Sequence, residues 1–271
     1  SCKINLGLRI TQKRADGFHA LETVFFPISI KDALEIIIEP DTNAAPISFT
    51  SSGLAINGDP SDNLCFKAYG LLKKDYPTIP NIKMHLHKTI PMGAGLGGGS
   101  ADGAFTLVAL NQLFNLQLSV DKLIQYALTL GSDCPFFIIN TPAFATGRGE
   151  ILKPINVNLD GYRIVIVNPG IAISTKLAFS LIIPQVQDTN MEAIICEPVT
   201  SWKENLINDF EAPIFNSFPE IANIKETLYQ KGAVYASMTG TGSTVYGIFP
   251  TSIIDTLDFD FPTHYFVATS S

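Results

Sequence analysis

The chain has 271 residues, of which 46% are hydrophobic and 16% are charged, so an intrinsically disordered protein is excluded. This length suffices for one large domain or two medium-sized domains with real cores. The formal net charge of −7 argues against general binding of nucleic acids or anionic membranes. No apolar run approaches the roughly 20 residues of a bilayer crossing, and no signal peptide opens the chain, so we expect a cytoplasmic protein. The chain starts at Ser1 without Met, which suggests that native residues precede it.

Cysteines and histidines offer few options for a metal site. Four cysteines occur without a C-x-x-C pair or a nearby histidine at ligand spacing, namely Cys2, Cys65, Cys134 and Cys196. This pattern favours the reduced thiols of a cytosolic protein over a disulfide or a zinc site. His85 and His87 alternate along a predicted strand and share one face, where a surface pair on an edge strand is favoured over a bound metal.

The N-terminal half is predicted to begin with strands. Apolar side chains from Ile4 to Ile10 alternate with polar residues or glycine, and this period of two is typical of a strand. The later predicted elements are, in chain order, strands over 24–30 and 34–38, a helix capped by Asp62 that runs to Lys74, a strand over 82–88, a helix from about 101 to 114, a helix capped by Ser119 that ends at Leu130, a helix start at Pro135, and a strand–turn–strand unit over 144–155.

The C-terminal half mixes strands and helices without a regular βαβ alternation. The predicted elements are strands over 162–168, 233–238, 244–249 and 265–269 and helices over 175–182, 191–195 and 220–231. Such a mixture favours an α+β protein over a parallel α/β protein. We expect two domains, formed by residues 1–155 and 156–271.

A glycine-rich segment over residues 91–103 is the most informative stretch of the chain. Five glycines fall within the seven positions from Gly93 to Gly99, and Ser100 and an apolar run follow. Such a cluster costs backbone entropy on folding, so a functional reason is expected. A glycine loop that leads into a helix directs backbone N–H groups and the positive helix end toward a phosphate. We therefore interpret the segment as a nucleotide-phosphate loop, in preference to glycines that only let the helix pack closely.

Three better-known glycine motifs do not match this context. The loop fits G-x-G-x-x-G, but it lies far from the start of the chain and no acid occurs over 115–120, so a dinucleotide-binding fold is disfavoured. A Walker A loop would need a lysine directly before Ser100. A protein-kinase loop would need H-R-D and D-F-G motifs downstream, and the chain has neither.

Four further segments accompany the glycine loop. They are Lys3-Ile4-Asn5-Leu6, Asp16-Gly17-Phe18-His19, the segment from Gly131 to Phe136 around Asp133, and a second glycine turn over 239–243. In this order the five segments resemble the GHMP kinases, the family of galactokinase, homoserine kinase and mevalonate kinase. The resemblance extends over nearly the whole chain.

The resemblance is closest to the branch of the family that acts on a cytidine diphosphate-linked methylerythritol. The matching motifs cover Cys2 to Leu6, Lys13 to His19, Pro91 to Ala104, Gly131 to Phe137 and Met238 to Gly242. The departures from the usual motifs are Cys2 for Ala, Phe18 for Tyr, Ala101 for Ser and Gly103 for Ala. Phe18 keeps the aromatic face but lacks the phenolic hydroxyl, which removes one possible hydrogen bond to the substrate.

The resemblance implies a two-domain GHMP kinase fold. The N-terminal domain would be like domain 2 of ribosomal protein S5, the C-terminal domain would be ferredoxin-like, and ligands would lie in the cleft between them. The implied reaction is phosphorylation of the 2-hydroxyl of the methylerythritol unit by ATP with Mg²⁺, on the non-mevalonate route to isoprenoid precursors. The expected partner is this small-molecule substrate rather than nucleic acid or a membrane, and the protein would be a monomer or a homodimer.

The same resemblance implies roles for individual residues. Asp133 would accept the proton of the substrate hydroxyl, and Lys3 would stabilise charge on the transferred phosphoryl group. The expected ATP contacts are Pro91, Met92, Gly93, Ala94, Gly95, Leu96, Gly97, Gly98, Gly99 and Ser100, with Lys88 and Asn63 near the adenine. The expected substrate contacts are Asn5, Phe18, His19, Thr175, Gly240, Thr241 and Gly242, with Phe18 stacked on the cytosine and Asn5 and His19 bonded to the base or its sugar-phosphate.

Structural roles are the alternatives for several of these side chains. Asp133 could cap the helix at Pro135, Thr175 could be an N-cap, and Phe18 could belong to the core. Lys3 and Lys88 could be charged residues at strand ends.

Other functions are also open for the whole chain. It could be another small-molecule kinase of the family, a silent nucleotide-binding module or a dinucleotide-dependent oxidoreductase. The N-terminal motifs disfavour the first, the presence of both Asp133 and Lys3 disfavours the second, and the context of the glycine loop disfavours the third.

Overall fold

The structure is a computed structural model that describes residues 1–41, 43–56, 58–185 and 189–270. It divides into two compact units, neither of which is continuous in sequence. The first unit consists of Ser1–Cys2, Lys31–Met92 and Gly97–Thr141, and the second consists of Lys3–Ile30, Gly93–Leu96 and Pro142–Ser271. The domain boundary expected between residues 155 and 156 stays a prediction.

Strands and helices alternate along the chain without a simple repeat. The strands are β1 (Cys2–Lys13), β2 (His19–Ile28), β3 (Ala33–Ile38), β4 (Ile47–Gly53), β5 (Ile82–Lys88), β6 (Ala143–Thr146), β7 (Ile151–Pro154), β8 (Tyr162–Asn168), β9 (Tyr235–Met238), β10 (Val245–Pro250) and β11 (Phe266–Ser270). The helices are α1 (Leu64–Asp75), α2 (Gly98–Leu113), α3 (Val120–Leu130), α4 (Cys134–Ile139), α5 (Thr175–Ser180), α6 (Met191–Ile195), α7 (Trp202–Asn205), α8 (Glu211–Ser217), α9 (Pro219–Gln230) and α10 (Thr251–Ile254).

The first unit contains a three-stranded sheet and the helices α1 to α4. Strand β5 lies between β3, which is antiparallel to it, and β4, which is parallel. The side chains of β5 alternate, with Ile82, Met84 and Leu86 buried. Helix α2 contacts α1, α3 and α4. Gly103 permits the contact with α1, because a Cβ at this position would lie 2.7 Å from the Cβ of Leu64.

The second unit contains two four-stranded sheets. Their strand orders are β1-β2-β6-β7 and β11-β8-β10-β9. The pairs of β10 with β8 and β9, of β11 with β8 and of β6 with β2 and β7 are antiparallel. Helix α9 contacts β9 and β10. It buries Ile221, Ile224 and Leu228, whose spacing of three and four residues places them on one helix face.

Strong sequence patterns predicted the elements well. The strands over 82–88 and 162–168 and the helix over 191–195 have the predicted bounds. The side chain of Ser119 caps α3 by accepting a hydrogen bond from the N–H of Lys122, as predicted. The mixture of largely antiparallel sheets with helices confirms the α+β class.

Two helix starts differ from the predictions. Asn63, not Asp62, caps α1, because its side chain accepts a hydrogen bond from the N–H of Cys65. Helix α2 begins at Gly98 rather than near residue 101, although glycine disfavours helices, since tertiary contacts override propensity. The short helices α7, α8 and α10 were not predicted, because so few residues give no clear periodicity.

The remaining sequence expectations concern histidines, cysteines and membranes. His85 and His87 lie on the central strand β5, so the predicted edge position is wrong. The Nδ1 of His85 lies 2.8 Å from the hydroxyl of Thr50, across the parallel strand pair. None of the four cysteines forms a disulfide; Cys196 is exposed, and the other three are buried. Within the described ranges, no helix combines the length and the apolar character that a bilayer crossing demands.

Candidate active site

The glycine loop has a left-handed backbone at alternate positions. Gly93, Gly95 and Gly97 have φ angles of 65°, 79° and 69°, which side chains rarely tolerate. Gly97 is also the N-cap residue of α2, and it has no side chain that could accept from the helix. Because the first N–H groups of a helix have no acceptor within it, this helix start offers donors to a ligand.

The glycines of the loop serve two different purposes. A Cβ at Gly95 would lie 2.1 Å from the carbonyl oxygen of Thr239, and a Cβ at Gly98 would lie 2.9 Å from Cγ2 of Ile90. Packing within each unit therefore requires these two glycines. A Cβ at Gly93 or Gly99 would meet no protein atom within 4 Å. At these two positions the missing side chain leaves open space, which suits a phosphate group.

The apolar residues of the loop hold it to the protein. Ala94 and Leu96 are buried, and Pro91 is half-buried, whereas Met92 is exposed. The carbonyl oxygen of Leu96 accepts a hydrogen bond from the N–H of Lys3 at 3.0 Å. The loop is thus anchored to the protein, and among its five glycines Gly93 and Gly99 are the exposed ones.

Lys3 is held directly against the glycine loop. It lies on β1 with only 3% of its side chain exposed. Its Nζ donates to Oδ1 of Asn5 at 2.6 Å and to the carbonyl oxygen of Gly95 at 2.9 Å. The ring of Phe25 lies below the amine, with its centroid 5.2 Å from Nζ. The alternative role of Lys3 as a charged residue at a strand end is therefore wrong.

Asn5 lies beneath Lys3 and is almost fully buried. Its Nδ2 donates to the hydroxyl of Thr23 at 2.9 Å, and its N–H donates to the hydroxyl of Thr239 at 3.0 Å. Its Oδ1 lies 3.1 Å from the same Thr239 hydroxyl. The Asn5 side chain thus bonds to the protein interior and orients Lys3, so its placement does not support a contact with the cytidine.

The second glycine turn packs against the first. A Cβ at Gly240 would lie 3.2 Å from the Cα of Gly95, so these two backbones touch. Asn208 holds the turn, since its Nδ2 donates to the carbonyl oxygens of Met238 at 2.7 Å and Gly240 at 2.9 Å. Thr241 is half-buried and Gly242 is buried. Sequence reasoning missed Asn208, because a single asparagine outside a motif carries no local signal.

Asp133 directly precedes α4 in the first unit. It occupies the N-cap position with φ −83° and ψ −17°, but its side chain makes no capping hydrogen bond. The capping role that was an alternative for this carboxylate is therefore wrong. Burial raises the pKa of the neighbouring Cys134 thiol to about 12. Cys134 is consequently an inert, packed thiol.

Lys88 lies in a buried cluster with two carboxylates. Its side chain is 2% exposed, and Nζ lies 2.5 Å from Oδ2 of Asp32 and 2.8 Å from Oδ2 of Asp102. Asp32 also accepts hydrogen bonds from the N–H groups of Thr89 at 2.6 Å and Ile90 at 2.9 Å. The cluster ties the end of β5 to the first turns of α2. This buried position does not support the predicted contact with adenine.

The three ionisable side chains of this cluster shift one another's pKa values. Burial raises the pKa of Asp102 to about 6, although Lys88 opposes the shift. The pKa of Asp32 is lowered, because the hydrogen bonds from Lys88 and from backbone N–H groups outweigh the effect of burial. Burial acts to lower the pKa of Lys88, but the two carboxylates outweigh this effect, so the pKa is raised.

Asn63 and Thr175 lie at helix starts. Asn63 caps α1 through an Oδ1 that lies 2.9 Å from the N of Cys65, so its side chain has a structural role. Thr175 is the first residue of α5, and the hydroxyl of Ser174 caps this helix by accepting from the N–H of Leu177 at 3.1 Å. The N-cap alternative for Thr175 is therefore wrong, and its exposed side chain can meet a ligand.

Phe18 and His19, which are predicted to bind the cytidyl end of the substrate, each contact another side chain. Phe18 is 54% exposed, so the core-packing alternative is wrong. The guanidinium carbon of Arg148 lies 4.4 Å from the centroid of the Phe18 ring. The ring of His19 stacks on Phe179, with centroids 4.9 Å apart and an interplanar angle of 24°. Arg148 and Phe179 were missed, because their partners lie far from them in sequence.

Comparison with known proteins places the chain in a family of small-molecule kinases. The family model "GHMP kinases N terminal domain" matches residues 63–147, and the model "GHMP kinases C terminal" matches residues 195–256. The chain belongs to the GHMP kinases, as the sequence motifs predicted.

Individual relatives carry a more specific name than the family models. A 4-diphosphocytidyl-2-C-methyl-D-erythritol kinase of Bacteroides fragilis is 50% identical over 261 residues, which cover 96% of this chain and 94% of the relative. The enzyme of the same name from Bacteroides thetaiotaomicron is 52% identical over 249 residues, 92% of this chain and 90% of the relative.

Solved structures agree with these relatives. A crystal structure of 4-(cytidine 5'-diphospho)-2C-methyl-D-erythritol kinase superposes with a TM-score of 0.79 at 30% identity and covers 99% of this chain and 97% of its own. The mevalonate kinase of Methanococcus jannaschii has a TM-score of 0.70 at 14% identity, with coverage of 99% and 95%. The second likeness shows the GHMP kinase fold alone.

Proposed function

We propose that the chain transfers the γ-phosphoryl group of ATP to the 2-hydroxyl of 4-diphosphocytidyl-2-C-methyl-D-erythritol, a step of non-mevalonate isoprenoid precursor synthesis. The observation that carries this proposal is the identity of about half of the residues with kinases named for this substrate, over nearly the full length of both chains. The reaction would take place in the cytoplasm.

ATP is held by the glycine loop in this proposal. Open space at Gly93 and Gly99 and the uncapped start of α2 support a triphosphate there, since both provide room and backbone donors. Mg²⁺, when bound with ATP, would neutralise phosphate charge. Contacts of Lys88 and Asn63 with the adenine would compete with the structural partners that both side chains have.

Lys3 would stabilise the transferred phosphoryl group. Its Nζ donates to the carbonyl oxygen of Gly95 in the glycine loop, which would bring its positive charge close to phosphates held by that loop. Asn5 orients it by accepting from Nζ, and the hydroxyl of Thr239 holds Asn5 by donating to the same Oδ1. A charge that is already in position needs no reorganisation during the reaction, which makes such stabilisation effective.

Asp133 would accept the proton of the substrate hydroxyl. In this step a bond forms between the hydroxyl oxygen and the γ-phosphorus, the bond from this phosphorus to the ADP oxygen breaks, and the proton moves to Asp133. The transition state of phosphoryl transfer is loose, so positioning matters more than early deprotonation. The side chain of Asp133 does not cap α4, which is compatible with a role toward substrate.

The cytidyl end would be held by aromatic side chains. The exposed ring of Phe18 would stack on cytosine, and His19 would hydrogen-bond to the base or its sugar-phosphate. Thr175 and the turn from Gly240 to Gly242 would contact the rest of the substrate. Asn5 would act as a positioning residue for Lys3, because its polar atoms bond to the protein.

An assay of ADP release tests this proposal directly. The purified chain is given ATP, Mg²⁺ and, in separate reactions, the cytidyl substrate, mevalonate or homoserine. We expect ADP release with the cytidyl substrate at a kcat/KM at least 100-fold above the other two. Faster turnover of mevalonate or homoserine would contradict the proposed substrate but keep the family. ATP binding without turnover of any acceptor would indicate a silent module.

A further inference from the structure

The contact between Arg148 and Phe18 belongs to no motif used so far. Arg148 lies in the turn between β6 and β7, where Gly147 and Gly149 have φ angles of 71° and 108°. The carbonyl oxygen of Gly147 accepts a hydrogen bond from the N–H of Leu21 at 2.8 Å, which fastens the turn to β2. The guanidinium of Arg148 therefore rests over the Phe18 ring at a fixed part of the second unit.

Two carboxylates lie near Arg148, and each binds another donor. Asp16 pairs with Arg14, whose Nη2 lies 3.0 Å from its Oδ2. Glu150 accepts the backbone N–H of Arg148 through Oε2 at 2.5 Å. Among the described residues, no carboxylate forms a salt bridge with the Arg148 guanidinium. Arg14 and Arg148 thus differ, since the first is neutralised locally and the second rests on an aromatic face.

This arrangement leaves the donors of Arg148 available to a ligand. A guanidinium over a ring uses its flat face, whereas its five N–H donors lie in its plane. That fork matches the oxygens of a phosphate group.

We infer that Arg148 is a substrate-binding residue that recognises the diphosphate of the cytidyl substrate, with the Phe18 ring as its support. The inference rests on the proposed function, because it assigns a residue to the nucleoside diphosphate end of that substrate. The charge of Arg148 distinguishes a nucleoside diphosphate from an uncharged nucleoside. The ring of Phe18 accounts for binding of the base.

Substitution of Arg148 by Met and by Lys tests this inference. We expect Arg148→Met to raise the KM for the cytidyl substrate about tenfold, the loss of one charge-assisted contact, with the KM for ATP and kcat within twofold of wild type. Arg148→Lys keeps the charge, so its KM for the cytidyl substrate should lie between those of wild type and Arg148→Met. Arg163→Met is the matched control, because Arg163 pairs with Asp255 on the surface of the same unit. It should change neither KM.

Binding of CDP and of cytidine separates charge recognition from a structural role. By calorimetry, Arg148→Met should weaken CDP binding about tenfold and leave cytidine binding unchanged. Added salt should weaken CDP binding to wild type more than to the variant, because screening acts on charge. Equal weakening for CDP and cytidine would overturn the inference, as would no change for CDP. A wild-type chain that binds CDP through Arg148 but does not phosphorylate the cytidyl substrate would refute the proposed function alone.

Discussion

Two buried lysines lie beside the glycine loop segments, one in each unit, and they differ in their partners. Lys88 is 2% exposed and bridges the carboxylates of Asp32 and Asp102. Lys3 is 3% exposed and donates to an amide oxygen and to the carbonyl oxygen of Gly95. The exposed fraction of the side chain alone therefore does not distinguish the two lysines.

The partners indicate what each lysine does. The carboxylates around Lys88 neutralise its charge and tie β5 to α2, which is a structural role in the first unit. Lys3 donates to the carbonyl oxygen of Gly95 in the glycine loop and to the amide oxygen of Asn5, which agrees with the catalytic role proposed for it. The comparison predicts that loss of Lys88 affects folding and loss of Lys3 affects turnover.

The largest expected effect is on stability. Lys88→Met leaves two buried carboxylates without their cation, and we expect the free energy of unfolding to fall by about 3–5 kcal/mol. Urea denaturation measures this change. Lys67→Met is the control, because the exposed pair of Lys67 with Asp62 should contribute less than about 1 kcal/mol. A loss below 1 kcal/mol for Lys88→Met would contradict its structural role.

The next effect is on catalysis. We expect Lys3→Met to lower kcat by about 10²–10³-fold, because the transition state loses a positioned positive charge. Steady-state kinetics at saturating ATP and cytidyl substrate measure kcat. A thermal melt of each variant reports its stability. Lys153→Met, which removes an exposed lysine paired with Glu192 in the same unit, should keep wild-type kcat. A Lys3→Met enzyme with wild-type kcat would remove Lys3 from the mechanism.

Asp133→Asn tests the proton acceptor in the same assay. The amide cannot accept the proton, so we expect turnover to fall on the order of 10²-fold or more. The KM for ATP should change little, since this side chain is proposed to face the acceptor. Asp160→Asn, on an exposed loop, is the control. Turnover near the wild-type value would exclude Asp133 as the base.

The pH dependence of stability sharpens the description of the Lys88 cluster. The pKa of Asp102 is about 6 in the folded protein, above the 3.8 of the unfolded chain. The folded state therefore binds more protons between these values, and stability should fall as pH rises from about 4 to 6, by at most about 1.4 kcal/mol per pH unit. Asp32, whose pKa is lowered, contributes only below this window.

Comparison of wild type with Asp102→Asn isolates this contribution. The difference in unfolding free energy between them should shift in favour of the variant from pH 4 to 6 and stay constant from pH 6.5 to 8. Denaturant curves at several pH values provide the data. Parallel pH profiles for the two proteins would show that Asp102 does not titrate in this range.

The smallest expected effect distinguishes a binding glycine from a merely flexible one. Gly99 and Gly70 both lie in helices, and a Cβ at either would meet no protein atom within 4 Å. Both Gly→Ala variants should therefore stabilise the protein by about 0.4–1 kcal/mol. Only Gly99→Ala should also raise the KM for ATP several-fold, because its methyl group enters the proposed phosphate space. Equal ATP kinetics for the two variants would place the phosphates elsewhere.

Prediction from sequence worked best where the pattern is local. The glycine loop, the strand over 82–88 and the cap at Ser119 each depend on neighbouring residues, and the structure confirms the strand and the cap. Family membership followed from motifs of a few residues each. Predictions failed where two candidates were adjacent, as for Asp62 and Asn63, because only the final backbone decides which side chain reaches the helix N–H group.

Local sequence patterns could not predict contacts between side chains that lie far apart in sequence. The sequence by itself determined which groups the chain carries: a lysine, an aromatic ring, a glycine-rich loop and a carboxylate, in the order of the motifs of a GHMP kinase. Only the tertiary structure decided that Lys88 is neutralised by Asp32, 56 residues away, while Lys3 meets Gly95, 92 residues away. The physical reason is that burial makes each charge depend on its immediate neighbours, and folding, not sequence distance, selects those neighbours.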